Sequence, residues 1–297
     1  MSNHKKKILF IINPFSGVGR QKIAENAIAA HLNHDKFDTE IRYTEYAHHA
    51  TEIARNAVGE GFDVVVAVGG DGSINDVVAG LVHSDVTLGI IPCGSGNGLA
   101  RHLQIPLDVP KAIEVINNFN CQKVDTINLN DRVYASIAGI GFDALVARLF
   151  KNRKIRGLKA YTSIVINQYP TYKTRNYKLT IDGEEIEREA LFVSFANSNQ
   201  FGYNTKVAPT AELNDGLIDV CVVNKIPFFH IPLTAPLLYT QNFEKSQHVE
   251  IFKAKEIKVH NNDYRWVNLD GEAVRLGKEL EFRINPLSLN IITKKHL

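Results

Sequence analysis

The chain is poor in the residue types that mark specialised architectures. Its 297 residues include three cysteines, one methionine and one tryptophan. Cys93, Cys121 and Cys221 are too few and too scattered for a disulfide framework, and no two of them have the spacing of a metal site. This sparing use of cysteine is typical of a reducing compartment, so we expect a cytoplasmic protein.

Long apolar runs and an excess of one charge are also missing. The run Ile8–Ile12 ends at Asn13-Pro14, far short of the ~20 apolar residues of a membrane span, and we interpret it as a first buried strand. The formal net charge of +2 creates no field that would attract nucleic acid, so we expect no nucleic-acid partner. The length predicts about two domains.

Strand-like and helix-like segments alternate over residues 1–124. Short apolar strands are predicted at 8–12, 40–44, 64–68 and 87–91. Helical patterns lie between them, and short helices are expected near 98–103 and 109–117. This alternation is typical of a parallel sheet with helices on both faces. We therefore predict an N-terminal three-layer α/β/α domain with a mostly parallel sheet.

The pattern changes after residue 124, where strand-like segments dominate. They lie at 132–138, 176–181, 190–196, 217–223, 248–252, 256–260, 264–269 and 280–284. Asp182-Gly183 marks a hairpin turn, and one helical stretch covers roughly 141–169. The sequence therefore predicts a second domain, residues 125–286, built as an antiparallel β-sandwich.

Three glycine-containing junctions follow strands of the first domain. Gly69–Ser73 joins a buried strand to an apolar-patterned helix, and Asn13–Gly17 and Pro92–Gly98 follow two other strands. A helix start of this kind presents backbone N–H groups and a positive dipole end to a phosphate. Because parallel strands end at one edge of a sheet, we expect the junctions to converge. No Walker A motif occurs, and Lys22 stands where a dinucleotide fingerprint needs its third glycine.

These motifs together resemble the diacylglycerol kinase catalytic-domain family, which includes bacterial soluble diacylglycerol kinases, sphingosine kinases and ceramide kinases. The residues that carry the resemblance are Asn13-Pro14, Gly69-Gly70-Asp71-Gly72-Ser73, Pro92-x-Gly94-Ser95-Gly96-Asn97, Asn214–Asp219 and Leu269–Glu272. The resemblance implies an ATP- and Mg²⁺-dependent lipid kinase with a nucleotide-binding first domain and a lipid-binding second domain. It also implies that a last strand near 287–293 returns to the first domain, which would then include residues 287–297.

The resemblance implies a specific set of nucleotide-binding residues, with Asp71 also helping to hold the Mg²⁺ that accompanies ATP. The set comprises Asn13, Ser16, Gly17, Thr44, Gly69, Gly70, Asp71, Gly72, Ser73, Gly94, Ser95, Gly96 and Asn97. A second Mg²⁺ site is implied at Asp215 with backbone carbonyls near Glu212 and Leu217. The plainer interpretation of Asp215-Gly216 is a tight turn before a strand.

The family resemblance places a general base for the lipid hydroxyl in Asp270-Gly271-Glu272. We favour Glu272, with Asp270 as the alternative. Phosphoryl transfer depends mainly on positioning and charge stabilisation, so one aligning carboxylate is sufficient. Gly98 stands where bacterial diacylglycerol kinases often have aspartate, which brings this motif nearer to sphingosine kinases. The acceptor therefore stays open between diacylglycerol and a sphingoid or monoacyl lipid.

Two segments have a membrane-related and a structural interpretation. A basic cluster either docks on anionic lipid headgroups or is a solvated helical face; it consists of Arg148, Lys151, Arg153, Lys154, Arg156 and Lys159. Ile226–Pro232 either forms a lipid-facing lip or packs internally. The expected enzyme is cytoplasmic and in peripheral contact with the inner membrane face, and a homodimer is one candidate assembly. The alternatives are an NAD kinase-like enzyme with a soluble acceptor and a nucleotide- or lipid-binding module without turnover.

Overall fold

The structure, a computed structural model, describes residues 5–14, 20–151, 153, 157–260 and 266–294. Its internal contacts divide the chain into a first unit, residues 1–125 and 286–297, and a second unit, residues 126–285. No helix within the described ranges combines the length and apolarity that a bilayer crossing needs.

The first unit is built on parallel strands. These are β1 (Lys6–Ile12), β2 (Phe37–Tyr43), β3 (Val64–Gly69) and β4 (Thr87–Pro92). They pair in parallel in the order β2-β1-β3-β4. Every residue of β3 and β4 is buried, as expected for parallel strands that are covered on both faces.

Helices connect these strands. They are α1 (Arg20–His31), α2 (His49–Gly59), α3 (Asp71–Leu81), α4 (Gly98–His102) and α5 (Val109–Asn118). Right-handed crossovers that run in opposite directions along a sheet place α1 on one face and α2 and α3 on the other. Helix α1 contacts α5, and α2 contacts α3. The α2–α3 approach requires Gly80, because a Cβ there would lie 2.6 Å from the Cβ of Ala54. The predicted α/β/α architecture is confirmed.

The second unit consists mainly of antiparallel strands and contains α6 (Phe142–Lys151), α7 (Leu158–Gln168) and α8 (Ile231–Thr234). The strands from residue 121 onward are β5 (Cys121–Leu129), β6 (Arg132–Tyr134), β7 (Ile137–Gly141), β8 (Arg175–Ile181), β9 (Glu184–Ala190), β10 (Phe192–Ala196), β11 (Ile218–Val223), β12 (Val249–Ala254), β13 (Glu256–His260), β14 (Trp266–Leu269), β15 (Glu272–Arg275) and β16 (Glu279–Ile292). One sheet has the order β12-β11-β10-β7-β14-β15, and β16, β13, β8 and β9 pair in that order in another. The rings of Phe195 and Phe282 stack 3.8 Å apart in the shared core. The predicted antiparallel second domain is confirmed.

The strand β16 differs from the two separate segments that the sequence predicted at 280–284 and 287–293. It is one strand of 14 residues. Its first part pairs with β13 over 279–283, and Asn290 and Ile291 pair in parallel with β4. The strand therefore contributes to the cores of both units.

Two further predictions are corrected in the second unit. The strand predicted at 132–138 is broken into β6 and β7, because the amides of Ala135 and Ile137 donate to the carboxylate of Asp270. The helical stretch predicted over 141–169 forms two helices, α6 and α7.

Candidate active site

The carboxyl ends of β1 and β3 form the topological switch point of the first unit. The chain leaves β1 toward β2 on one side, and β3 continues to β4 on the other. Ligands of doubly wound folds bind at such a point. Here the side-chain amide of Asn13, after β1, donates to the hydroxyl of Ser73 in the first turn of α3 at 3.1 Å. Two of the predicted junctions therefore meet directly.

Asp71 ties the second junction to the third. Its Oδ2 accepts the amide of Asn97 at 2.8 Å, and its Oδ1 accepts the amide of Gly98 at 2.6 Å. Burial raises the pKa of the Asp71 carboxyl above its ordinary value, while these amides and the positive charge of Arg101 act in the opposite direction. The carboxylate thus holds the starts of α3 and α4 together.

The loop before α4 is fixed by its own side chain. Asn97 is buried and has left-handed backbone angles, and its side chain accepts from the Gly94 amide at 3.0 Å and donates to the Gly94 carbonyl at 2.8 Å. A Cβ at Gly94 would lie 2.5 Å from the Cα of Gly70. Only glycine allows the two junctions to approach this closely, because any side chain would separate them.

Thr44 follows β2 and is also near the switch point. Its amide donates to the Ile12 carbonyl at the end of β1 at 3.0 Å, and the residue is buried. The helix α3 starts at Asp71 without a side-chain cap, and Gly72 in its first turn is exposed. First-turn amides without intrahelical partners can bind an anion. The predicted Ser16 and Gly17 lie outside the described residues.

The turn between β14 and β15 carries the candidate catalytic carboxylates. Asp270 and Gly271 both have positive φ angles, 46° and 87°, as a two-residue type I′ hairpin turn requires. The Asp270 carboxylate is buried and accepts the amide of Ile137 at 2.7 Å and that of Ala135 at 3.4 Å. Asp270 therefore anchors the turn to the neighbouring strand.

Glu272 has a different environment from Asp270. Its Oε1 lies 2.7 Å from the Nζ of Lys151 on α6, and both side chains are partly exposed. Lys151 belongs to the basic cluster identified in the sequence, where nothing indicates its link to Glu272. Of that cluster, Arg148 lies over the Trp266 ring at 5.6 Å, and Lys154 and Arg156 fall outside the described residues.

A buried carboxyl that the sequence analysis missed supports the same turn. Asp143 on α6 accepts from the side-chain amide of Asn268 at 2.9 Å, and the Asn268 Oδ1 accepts the Gly271 amide at 3.0 Å. Burial raises the pKa of Asp143 to about 6, and the bond from Asn268 lowers it only in part. Gly139 makes room for this carboxyl, because a Cβ there would lie 1.9 Å from Asp143 Oδ2.

The predicted second metal position contains a lysine. Asp215 accepts the Leu217 amide at 3.0 Å through Oδ1, and its Oδ2 lies 2.6 Å from the Nζ of Lys253. The same ammonium lies 3.6 Å from Asp219, whose pKa burial raises to about 6. The predicted ligand Glu212 is exposed. Within the described ranges, no three His, Cys, Asp or Glu side chains group into a metal-binding cluster.

Comparison with known proteins agrees with this architecture. Residues 7–129 match the family model of the diacylglycerol kinase catalytic domain, and residues 136–293 match the YegS C-terminal NAD kinase beta sandwich-like domain. The chain is 30% identical over 276 residues to a diacylglycerol kinase of Bacillus subtilis, covering 90% of each chain. A diacylglycerol kinase of Staphylococcus aureus is 30% identical over 272 residues, covering 90% of this chain and 86% of the relative.

Solved structures show the same fold. A putative diacylglycerol kinase from Bacillus anthracis superimposes with a TM-score of 0.79 at 24% identity, covering 98% of this chain and 97% of the other. The relatives at 30% identity are named diacylglycerol kinases, and the family models match both units, so the chain is a kinase that phosphorylates an alcohol group. The chain belongs to the diacylglycerol kinase family, which is a family of lipid kinases.

Proposed function

We propose that this protein transfers the γ-phosphoryl group of ATP to a hydroxyl of diacylglycerol or of a related sphingoid or monoacyl lipid, with Mg²⁺ as cofactor. The observation that carries the proposal is the bonding of three strand ends at one switch point through Asn13, Asp71 and Asn97. The names of the relatives, all diacylglycerol kinases, support the lipid class of the acceptor.

The first unit would bind the nucleotide. The amides at the start of α3 would bind phosphate oxygens, with Asn13, Thr44, Ser73 and Ser95 as further polar contacts. Bound Mg²⁺ would neutralise charge on the phosphates. Asp71 fits a role in holding it, since backbone amides fix its carboxylate where the second and third junctions meet. A rigid carboxylate of this kind orients its ligand without reorganisation.

The second unit would supply the base. Glu272 is our preferred residue, because its partly exposed carboxylate pairs with the exposed ammonium of Lys151, whereas both oxygens of Asp270 accept backbone amides. A base must come within about 3 Å of the hydroxyl proton's oxygen, and a side chain on a flexible stem can reorient to do so. Asp270 is the alternative.

A second Mg²⁺ at Glu212, Asp215 and Leu217 stays a prediction. The site offers one carboxylate and carbonyls, which suits an ion that keeps most of its water ligands. The ion would share Asp215 with the ammonium of Lys253. We place no step of the reaction at this position.

The test is lipid phosphorylation with γ-labelled ATP and Mg²⁺. Vesicles would contain diacylglycerol, monoacylglycerol or sphingosine, and soluble NAD would serve as the competing acceptor, because the second unit matches an NAD kinase-like domain description. We expect label in one of the lipids and none in NAD. Label only in NAD would replace the lipid kinase with an NAD kinase-like enzyme. ATP binding without label in any acceptor would favour a non-catalytic module.

Two amide variants separate the candidate bases. Glu272→Gln should lower kcat by at least about 100-fold, the usual size of a general-base contribution, while leaving ATP affinity and Tm close to those of the wild type. Asp270→Asn should lower Tm as well, because it disturbs two amide hydrogen bonds. An unchanged kcat in Glu272→Gln with a lost kcat in a folded Asp270→Asn protein would transfer the role to Asp270.

We also propose a cytoplasmic enzyme in peripheral contact with the inner membrane face. The lipid acceptor supports this, since its acyl chains keep it in a bilayer. A homodimer is a further possibility that sedimentation analysis would test directly.

A further inference from the structure

The second unit exposes an apolar patch made of Phe228, Phe229 and Leu233. Their exposed fractions are 73%, 75% and 74%, the highest among the large apolar side chains of the described residues. They lie in a segment, residues 226–243, that contains no Asp, Glu, Lys or Arg. Exposed apolar residues are ordinary when they are scattered, but a contiguous patch marks an interaction surface.

Hydrogen bonds and buried side chains hold the segment that carries the apolar patch in place. The Tyr169 hydroxyl donates to the Ile226 carbonyl at 2.7 Å and accepts the Ile226 amide at 2.9 Å. Thr234 is buried and donates to the His230 carbonyl at 3.0 Å, and Phe243 is buried in a core cluster. The buried Thr234 and Phe243 thus fix the backbone of the segment. Phe228, Phe229 and Leu233 lie on its solvent-exposed side.

Helix α7 carries another exposed apolar side chain of the second unit. Ile166 is 69% exposed and lies one turn before Tyr169, the residue that bonds Ile226. Residues three apart on a helix lie on neighbouring positions of its surface. An exposed apolar side chain of α7 therefore lies one helical turn from the residue that holds the segment.

Lysines lie on both sides of the apolar segment in the sequence, and a further lysine follows a residue that Lys225 contacts. Lys225 precedes the segment, and its Nζ donates to the carbonyl of Tyr172 at 2.6 Å. Lys173 follows Tyr172 and is exposed, and so is Lys245 beyond the other end of the segment. The acid nearest in sequence is Glu244, which is only partly exposed. The electrostatic character of this border suits an anionic partner.

We propose that Phe228, Phe229 and Leu233 insert into the headgroup–acyl boundary of an anionic bilayer, and that the apolar patch is the surface by which the protein docks on the membrane holding its substrate. The inference rests on the proposed lipid kinase function. Apolar side chains gain free energy by leaving water at this depth, and lysines at the border gain from anionic headgroups. The apolar centre of the patch fits the acyl region of the bilayer, and the lysines at its border fit the anionic headgroups.

The first experiment measures binding to vesicles without any reaction. The variant Phe228→Ser/Phe229→Ser/Leu233→Ser and the wild-type protein are sedimented with phosphatidylcholine vesicles, with and without phosphatidylglycerol. We expect the variant to lose at least about tenfold in vesicle affinity, given the apolar area removed from the contact, and the wild type to bind more tightly with phosphatidylglycerol. The matched control Ile23→Ser/Leu107→Ser removes exposed apolar side chains of the first unit and should bind as the wild type does.

The second experiment separates docking from chemistry. With diacylglycerol in vesicles, the triple variant should show a raised KM. With a soluble short-chain diacylglycerol, its kcat should equal that of the wild type. If neither protein phosphorylates any lipid, the proposed function fails, while the vesicle assay still decides on the docking surface.

Two results would overturn the docking surface. One is equal vesicle binding by the triple variant and the wild type. The other is an oligomeric wild-type protein that becomes monomeric in the triple variant by analytical ultracentrifugation, which would assign the apolar patch to contacts between copies of this chain.

Discussion

Replacing Asp143 with asparagine should make the protein more stable at neutral pH. The Asp143 carboxyl is buried, and its pKa is raised from 3.8 to about 6. A raised pKa means that the folded state disfavours the ionised form, and each pKa unit corresponds to about 1.4 kcal/mol. The two-unit difference therefore costs the folded protein about 3 kcal/mol when Asp143 is ionised.

The sign of the effect fixes its pH dependence. Below pH 4 both the folded and the unfolded chains carry a protonated Asp143, and the cost vanishes. Between pH 4 and 6 the unfolded chain ionises first, so the wild-type protein loses stability as pH rises. Asp143→Asn keeps an oxygen to accept from Asn268 and has no charge to bury. The free energy of unfolding of Asp143→Asn should exceed that of the wild type by an amount that grows from pH 4 to 6. Above pH 6 the difference should stay constant, at up to about 3 kcal/mol.

Urea unfolding of both proteins between pH 4.5 and 8 measures this difference. Asp143→Ala is the control, because it also lacks the charge but leaves the Asn268 amide without its acceptor. It should be less stable than Asp143→Asn by about 1–3 kcal/mol at all pH values. If the gap between the wild type and Asp143→Asn were independent of pH, or if the variant were the less stable protein at pH 8, the burial argument would be refuted.

Three further substitutions test the site. Gly94→Ala should destabilise the first unit by about 1–3 kcal/mol and weaken ATP binding, because its Cβ would lie 2.5 Å from the Gly70 Cα; unchanged Tm and ATP affinity would contradict this. Asp71→Ala should cost about 1–3 kcal/mol in urea unfolding, since the amides of Asn97 and Gly98 lose their acceptor; an unchanged stability would contradict this. Lys151→Met should change stability by no more than about 1 kcal/mol, because exposed ion pairs contribute little; a larger loss would show that its bond to Glu272 is structural.

The first unit was predictable from sequence because its pattern is local. The strand at 64–68 is a short, wholly apolar run that ends in glycines, which predicts a buried parallel strand. Parallel topology then places the ends of such strands at one sheet edge, so convergence of the junctions could be predicted, and the bond between Asn13 and Ser73 agrees with it. The bonds from the amides of Asn97 and Gly98 to Asp71 did not follow, because the sequence does not show which groups a carboxylate at a helix start accepts.

The second unit was harder because its determinants are distant in sequence. The strand β9 was missed because charged residues occupy most of Glu184–Ala190. They hide the alternation of apolar and polar residues by which a strand is recognised. Asp143 and Asn268 are 125 positions apart, and an acid in the first turn of an amphipathic helix is usually there for the helix dipole. Only packing of α6 beside β14 reveals the link to the 270–272 turn.

The route of β16 has a consequence for how the protein is made. The residues that pair with β4, Asn290 and Ile291, follow the whole second unit in the chain. While the ribosome is still translating residues 126–285, β4 is an unpaired edge, which is a site for misassociation with other strands. Completion of the sheet of the first unit therefore waits until the second unit has been translated, and a chain cut before residue 286 should aggregate rather than yield a separately folded half.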